Sequence, residues 1–242
     1  LEIVSNDYID AVLRELEAAT TDTAPTIFFG GGTPSLLPAH DPGRVIAAIK
    51  ARNGVTDNCE ITLEANPDSV TAEKLQQYIE VGFNRISFGM QSAMPHVLAV
   101  LDRTHDPANV EKAITMARSA GFASISVDLI YGTPGESLDD WRDTVSAALA
   151  LDIDHISAYA LIVETGTKLA AQIKRGELAM PNDDLMADMY LMVDQMCEDR
   201  GLSWYELSNW AKPGHSCVHN TAYMQGRNWW GLGPGAHSHV DG

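Results

Sequence analysis

A short apolar run ends in three glycines at Ile27-Phe28-Phe29-Gly30-Gly31-Gly32-Thr33-Pro34-Ser35. β-Branched and aromatic residues favour a strand, and glycines let a ligand approach the backbone closely where that strand ends. The spacing matches neither GxGxxG nor GxxxxGK[ST], so it does not indicate a nucleotide-phosphate loop. The run therefore predicts a strand whose carboxyl end leads into an accessible loop.

The same theme, a strand-forming run followed by a turn and an amphipathic stretch, recurs every ~25 to 35 residues, which indicates βα units and a parallel sheet. An opening helix with Asn6 as its cap is also expected, because Ile9, Val12, Leu13 and Leu16 form one apolar stripe. Strands are predicted at residues 26–29, 60–65, 85–90, 124–131, 155–161 and 203–207. Further helices are predicted at residues 42–52, 71–80, 107–120, 137–151 and 184–200.

Two regions follow from this pattern. Residues 1–208 are predicted to form the barrel body. Residues 209–242, rich in Gly, His and Trp, break the pattern and are predicted to begin a separate C-terminal region.

Polar side chains alternate with apolar ones on three consecutive predicted strands. The polar set comprises Thr62, Glu64, Arg85, Ser87, Ser126 and Asp128. Because burying an unpartnered carboxylate is costly, a face with Glu64 and Asp128 should be hydrated or hold a polar ligand. Both acids are expected near the carboxyl ends of their strands, where barrel active sites lie. The structural alternative is an internal carboxylate paired with Arg85 or Arg103.

Composition restricts the class of protein and its partners. Thirty-three acidic against sixteen basic residues give a formal charge of −17, which disfavours nucleic acid as a partner. No apolar run reaches the ~18 to 20 residues of a membrane span, so we expect a soluble chain. Cys59, Cys197 and Cys217 form no disulfide framework, which is typical of a reducing, cytoplasmic location. The first residues lack an initiator Met, and we expect the true N-terminus upstream of Leu1.

Four motifs carry a resemblance to a known family. They are Phe28-Phe29-Gly30-Gly31-Gly32-Thr33-Pro34-Ser35, Leu63-Glu64-Ala65-Asn66-Pro67, Ser87-Phe88-Gly89-Met90-Gln91-Ser92 and Val127-Asp128-Leu129-Ile130-Tyr131-Gly132-Thr133-Pro134-Gly135. In order and spacing they resemble the radical S-adenosylmethionine (SAM) proteins of the oxygen-independent coproporphyrinogen III oxidase family, across nearly the whole chain. The resemblance implies an α/β fold, a partial (β/α)6 TIM-like barrel. Its first strand and cluster loop are expected upstream of Leu1.

The C-terminal part resembles the heme chaperone branch of this family, whose members carry an HN-x-x-YW motif. Here the motif reads His219-Asn220-Thr221-Ala222-Tyr223-Met224, with Met224 in place of Trp. The resemblance implies His219 as an axial heme ligand, and imidazole is an ordinary axial donor. The alternative is a hydrogen-bonding histidine packed beside Trp210, Trp229 or Trp230.

The resemblance also implies two further cofactors, SAM and a [4Fe-4S] cluster held by a CxxxCxxC loop. None of the three cysteines has that spacing, so no metal ligand is assigned in this chain and the cluster cysteines are expected upstream. By resemblance, Gly31, Gly32 and Thr33 would line the methionyl amine and Arg103 would pair with the methionyl carboxylate. Glu64, Gln91 and Asp128 would hydrogen-bond the cofactor's polar groups, and which acid takes which group stays open. Gln91 could instead satisfy local backbone, and Arg103 could be a surface arginine at a helix end.

Three functions remain open, and with them whether the protein is an enzyme. The first is a heme chaperone that passes heme to an acceptor protein. The second is an oxygen-independent coproporphyrinogen III oxidase, a dehydrogenase acting on a porphyrinogen through radical chemistry. The third, outside the family, is a metal-dependent barrel hydrolase with Glu64 and Asp128 as ligands. His219 and Asn220 favour the first, and its SAM and heme sites are expected to be independent because they use different residues.

Overall fold

The computed structural model describes residues 2–19, 22–103 and 106–242. The helices are α1 Glu2–Ala18, α2 His40–Arg52, α3 Ala72–Val81, α4 Pro95–Val100, α5 Pro107–Ala120, α6 Leu138–Leu149, α7 Lys168–Lys174, α8 Asp183–Glu198 and α9 Val218–Met224. The strands are β1 Ala24–Phe29, β2 Val55–Ala65, β3 Arg85–Gln91, β4 Ser124–Tyr131, β5 His155–Ala160, β6 Ser203–Glu206 and β7 Asn209–Ala211.

Helix ends follow local capping chemistry. The Thr71 hydroxyl accepts the Lys74 N–H before α3, and Gly82 ends that helix with a left-handed φ of 112°. Ser137 and Asp140 form a capping box before α6, as the sequence predicts. Asn6 lies inside α1 and does not cap it, because the helix begins at Glu2.

The strands are hydrogen-bonded neighbours in the order β1-β2-β3-β4-β5-β7-β6. β1 pairs parallel with β2, and β4 pairs parallel with β5, which confirms the predicted βα pattern. β7 pairs antiparallel with both β5 and β6. Residues 209–211, which follow the predicted division at Ser208, thus form a short strand that reverses direction and joins the sheet.

One compact unit comprises Leu1–Ser87, Met116–Ala123 and Cys217–Gly242. Its core includes Ile9 and Val12 of α1 and Val45 of α2, with Phe29 and Leu232 packed against them. The Gly233 N–H also donates to the Glu15 carboxylate at 2.7 Å. The end of the chain is thus held against the first helix.

The second unit comprises Phe88–Thr115 and Ser124–Ser216. Its core is anchored by Trp141 of α6, which is fully buried and donates its indole N–H to the Met189 carbonyl at 2.9 Å. Met189, Val193 and Cys197 form the buried stripe of α8. Among the residues that the structure describes, no helix is long and apolar enough to cross a bilayer.

Candidate functional site

The glycine-rich segment after β1 presents open backbone beside a carboxylate. The Gly31 N–H donates to Glu64 Oε2 at 2.9 Å, and Gly31 adopts a φ of +94°, which a side chain would strain. A Cβ on Gly31 or Gly32 would meet no described atom within 4 Å. Burial raises the pKa of Glu64, and the hydrogen bond from Gly31 opposes that shift. The segment therefore offers room for a ligand next to a half-buried acceptor.

Gly30 is tightly enclosed, unlike its two neighbours. A Cβ there would lie 2.5 Å from Phe28 Cε1 and 2.8 Å from Glu64 Cδ. At distances this short the Phe28 ring or the Glu64 carboxyl would have to move, so glycine lets both side chains lie close to the backbone here.

The loops that follow β1 and β2 are tied together behind this segment. Ser35, which is fully buried, shares a hydrogen bond with the Ser69 hydroxyl at 2.6 Å and accepts the Asn66 N–H at 3.1 Å. The Lys74 ammonium donates to the carbonyls of Ser35 and Ser69. Because Lys74 is partly buried, desolvation lowers its pKa. These contacts fix the backbone on both sides of Gly31 and Glu64.

His219 lies in the first turn of α9 and contacts β1 directly. Its Nδ1 is hydrogen-bonded to the Thr26 hydroxyl at 3.1 Å, and its ring stacks on Phe28 with centroids 4.8 Å apart and planes 17° apart. Tyr223 lies beyond it, at a centroid distance of 6.0 Å. Burial lowers the pKa of His219, against an opposing effect of Glu60, so the neutral imidazole is favoured. Its ring neighbours are Phe28 and Tyr223, and not the tryptophans that the sequence suggested.

Glu60 holds the start of α9, a role that sequence reasoning missed. Its carboxylate accepts the backbone N–H groups of Val218 at 3.1 Å and His219 at 3.0 Å, and the Cys217 thiol at 3.3 Å. Arg85 lies 3.8 Å away, so the carboxylate that Arg85 meets is Glu60. The sequence did contain a signal for Glu60. This residue alternates with apolar neighbours along β2 and so lies on the same face as Thr62 and Glu64.

Aromatic stacking continues from α9 into the C-terminal segment. Tyr223 stacks on Trp229 at 3.8 Å, and Trp229 stacks on His239 at 4.7 Å. Backbone hydrogen bonds between Trp229 and His239 hold this pair in an isolated bridge. His237 fixes the same loop, because its carbonyl accepts the Trp229 indole N–H at 3.0 Å.

The remaining predicted SAM-binding residues lie in the second unit, whereas Gly31, Gly32, Thr33, Glu64 and His219 belong to the first. Gln91 ends β3 with a φ of 64°. Asp128 faces Ser157 across the β4 and β5 pair and lies mid-strand, three residues before the end of β4. Arg103 is exposed in the loop after α4, where its N–H donates to the Leu98 carbonyl at 2.9 Å.

The turn after β4 contains a second buried acid that sequence reasoning missed. Glu136 Oε2 accepts the N–H groups of Gly132 at 2.9 Å and Thr133 at 3.1 Å. Within the described part of the chain, Glu136 Oε1 and the Thr133 hydroxyl are buried without a hydrogen-bond partner. Burial raises the pKa of Glu136 to about 7, although both backbone hydrogen bonds oppose that shift.

The described residues do not supply a shared metal centre. No three His, Cys, Asp or Glu side chains in residues 2–19, 22–103 and 106–242 are grouped so that they could hold one ion. Cys59, Cys197 and Cys217 are each buried, and within the described part of the chain none of them is in a disulfide. Desolvation raises the pKa of Cys197 and of Cys217 to about 12, which keeps both thiols protonated.

Comparison with known proteins gives strong matches. A heme chaperone HemW of Mycobacterium tuberculosis is 46% identical over 228 residues, covering 93% of this chain and 58% of that protein. A mouse relative, the mitochondrial protein named radical S-adenosyl methionine domain-containing protein 1, is 38% identical over 234 residues. The match covers 97% of this chain and 53% of the mouse protein. The chain thus spans a little over half the length of these relatives.

A solved structure shows the same fold. It is coproporphyrinogen III oxidase (HemN) from Escherichia coli, a radical SAM enzyme, with a TM-score of 0.82 at 22% identity over 98% of this chain and 58% of that one. The likeness confirms the predicted α/β partial barrel.

The sequence model of the radical SAM superfamily matches residues 4–148, which is more than half of the chain. This match confirms the resemblance drawn from the four motifs. The metal-dependent hydrolase considered from the sequence lies outside this family and is wrong. The chain belongs to the radical SAM superfamily.

Proposed function

We propose that this protein is a heme chaperone that binds SAM at the glycine-rich end of β1 and heme through α9, for transfer to an acceptor protein. The single observation that carries the proposal is the environment of His219 in the first turn of α9. The relatives named as heme chaperones support it.

The hydrogen bond and the protonation state of the His219 imidazole suit an iron ligand. With the proton on Nδ1 and donated to Thr26, the Nε2 atom keeps its lone pair, which is the donor that heme iron requires. The lowered pKa favours this neutral form at physiological pH. Exposed Tyr223 and Met224 on the same helix provide apolar surface for a macrocycle.

The first unit also fits SAM. Open space at Gly31 and Gly32 gives room for the methionyl group, and the Glu64 carboxyl can accept a hydrogen bond from an ammonium or a ribose hydroxyl. When bound with a [4Fe-4S] cluster, SAM supplies radical chemistry in this superfamily. The cysteines of the described residues do not fit such a cluster. Arg103, Gln91 and Asp128 remain proposed contacts of SAM.

The proposal is tested by heme titration of the full-length protein. We expect a Soret band that shifts in His219→Ala, and more completely in His219→Ala with Met224→Ala, because a thioether can replace the lost imidazole. His237→Ala is the matched control, since that side chain is exposed and should leave the spectrum unchanged.

The main competing function has its own readout. If the protein is a dehydrogenase, full-length protein with SAM and a reductant will decarboxylate coproporphyrinogen III. We expect no such product. Its formation, together with an unaltered heme spectrum in the double variant, would replace the chaperone by the oxygen-independent oxidase.

A further inference from the structure

One face of β1 connects the two ligand sites of the proposed function. Thr26 and Phe28 alternate along the strand and therefore share a face, and Gly30 follows the end of the strand directly. Thr26 and Phe28 both contact His219, through a hydrogen bond and a ring stack. The Phe28 ring and the Glu64 carboxyl both lie close to Gly30. The ring of Phe28 thus contacts His219 and lies near the predicted SAM site.

The Phe28 ring has two close neighbours. Its stacking on His219 is nearly parallel, with planes 17° apart. Phe28 Cε1 and Glu64 Cδ both lie within 3 Å of the point that a Gly30 Cβ would occupy, which places the two side chains near each other. Glu64 is itself fixed by the Gly31 N–H. A shift of the Glu64 carboxyl toward this point would bring it against the Phe28 ring, on which His219 stacks.

We propose that Phe28 couples SAM binding to heme binding. This inference rests on the proposed function, because it requires both ligands. A ligand that engages the Glu64 carboxyl sets its position beside the Phe28 ring, and the Phe28 ring in turn sets the position of the His219 imidazole that stacks on it. Coupling of this kind is positive and reciprocal, and each ligand strengthens the other by the same factor.

This proposal differs from the expectation of independent sites that was drawn from the sequence. The two sites do use different residues, but the ring of Phe28, to which the sequence analysis assigned no role, lies close to residues of both. The proposal assigns Phe28 a positioning role, since it need contact neither ligand.

The test uses full-length protein, anaerobically purified, with ferric heme and SAM as probes. The heme Kd is measured by Soret titration with and without saturating SAM, and the SAM Kd by calorimetry with and without heme. In the wild-type protein we expect each ligand to lower the other's Kd by about fivefold or more, the lower range of allosteric coupling. The coupling ratio is the Kd of one ligand without the other divided by its Kd with the other. Phe28→Leu should reduce this ratio to about one, whereas Phe28→Tyr, which keeps the ring, should retain the wild-type ratio.

Phe29→Leu is the matched control. Phe29 follows Phe28 on the opposite face of β1, where its ring packs on Phe83 at 5.2 Å. This variant loses a ring of the same size and should keep the coupling ratio of the wild-type protein.

The outcomes separate the two proposals. If either ligand fails to bind the wild-type protein, the proposed function fails. If both bind and the wild-type ratio is one, or if Phe28→Leu keeps the wild-type ratio, the coupling by Phe28 is overturned. If Phe28→Leu does not fold, the coupling is still tested by the ratio of Kd values in the wild-type protein.

Discussion

The Glu60 carboxylate accepts the backbone N–H of His219 at 3.0 Å, across 159 residues of sequence. A residue in the middle of β2 thereby satisfies the first turn of α9, whose N–H groups have no partner within the helix. The negative charge is also favourable at that end of the helix. A strand thus helps to set the position of α9 and of His219 within it.

Glu60→Ala should release α9. The backbone N–H groups of Val218 and His219 and the Arg85 guanidinium would lose their carboxylate, and losing hydrogen bonds to a charged group should lower the free energy of unfolding by about 3 kcal/mol. Cys217, now buried against Glu60, should react faster with a thiol reagent. Urea unfolding and thiol labelling measure the two effects.

Glu111→Ala is the control, because Glu111 is an exposed acid on α5. It should change the free energy of unfolding by less than about 0.5 kcal/mol. Equal stability and equal labelling in Glu60→Ala and the control would show that Glu60 does not hold the helix.

The regular elements could be predicted from sequence because their patterns are long. The bounds of β4 and α5 agree with the predicted residues 124–131 and 107–120. The elements that were missed, α4, α7, α9 and β7, have three to seven residues. Such short segments show less than two periods of a helix, and their stability comes from tertiary contacts.

The candidate site was only partly predictable for the same reason. Alternation placed Glu64 on a polar face, and the structure brings it to Gly31 as two adjacent strand ends require. Glu60 and Phe28 were not recognised, because their partners lie at Cys217 to His219, far along the chain. The division at Ser208 stays a prediction, although β7 and α9 show that residues beyond it contact β5 and β1.

Gly30→Ala and Gly32→Ala should have opposite consequences for stability. A Cβ at Gly30 would overlap the Phe28 ring and the Glu64 carboxyl, and overpacking of this kind costs about 1 to 3 kcal/mol. A Cβ at Gly32 meets no described atom within 4 Å, so its free energy of unfolding should be unchanged or slightly raised. Thermal unfolding compares the two variants. A loss of stability in Gly32→Ala equal to that in Gly30→Ala would contradict this account of the glycine segment.

Arg103→Ala in the full-length protein should weaken SAM binding by about 1.5 to 3 kcal/mol, the range for a hydrogen bond to a charged group. The reason is the proposed pairing of its guanidinium with the methionyl carboxylate. Calorimetry measures the affinity, and Arg175→Ala is the control, because Arg175 is an exposed arginine that pairs with Glu177. Unchanged affinity in Arg103→Ala would assign Arg103 to the surface instead.

Glu136 should make the stability of the protein depend on pH. Burial raises its pKa from the usual 4.5 to about 7, so between these values the folded protein binds a proton that the unfolded chain has lost. Its contribution to stability is therefore fully present below pH 4.5 and is lost as the pH rises to about 7, by on the order of 3 kcal/mol. Glu136→Gln keeps an oxygen acceptor for the N–H groups of Gly132 and Thr133 but cannot ionise. Urea unfolding from pH 5 to 8 should show stability falling with pH in the wild-type protein and a flatter profile in the variant. Parallel profiles would mean that Glu136 does not titrate in this range.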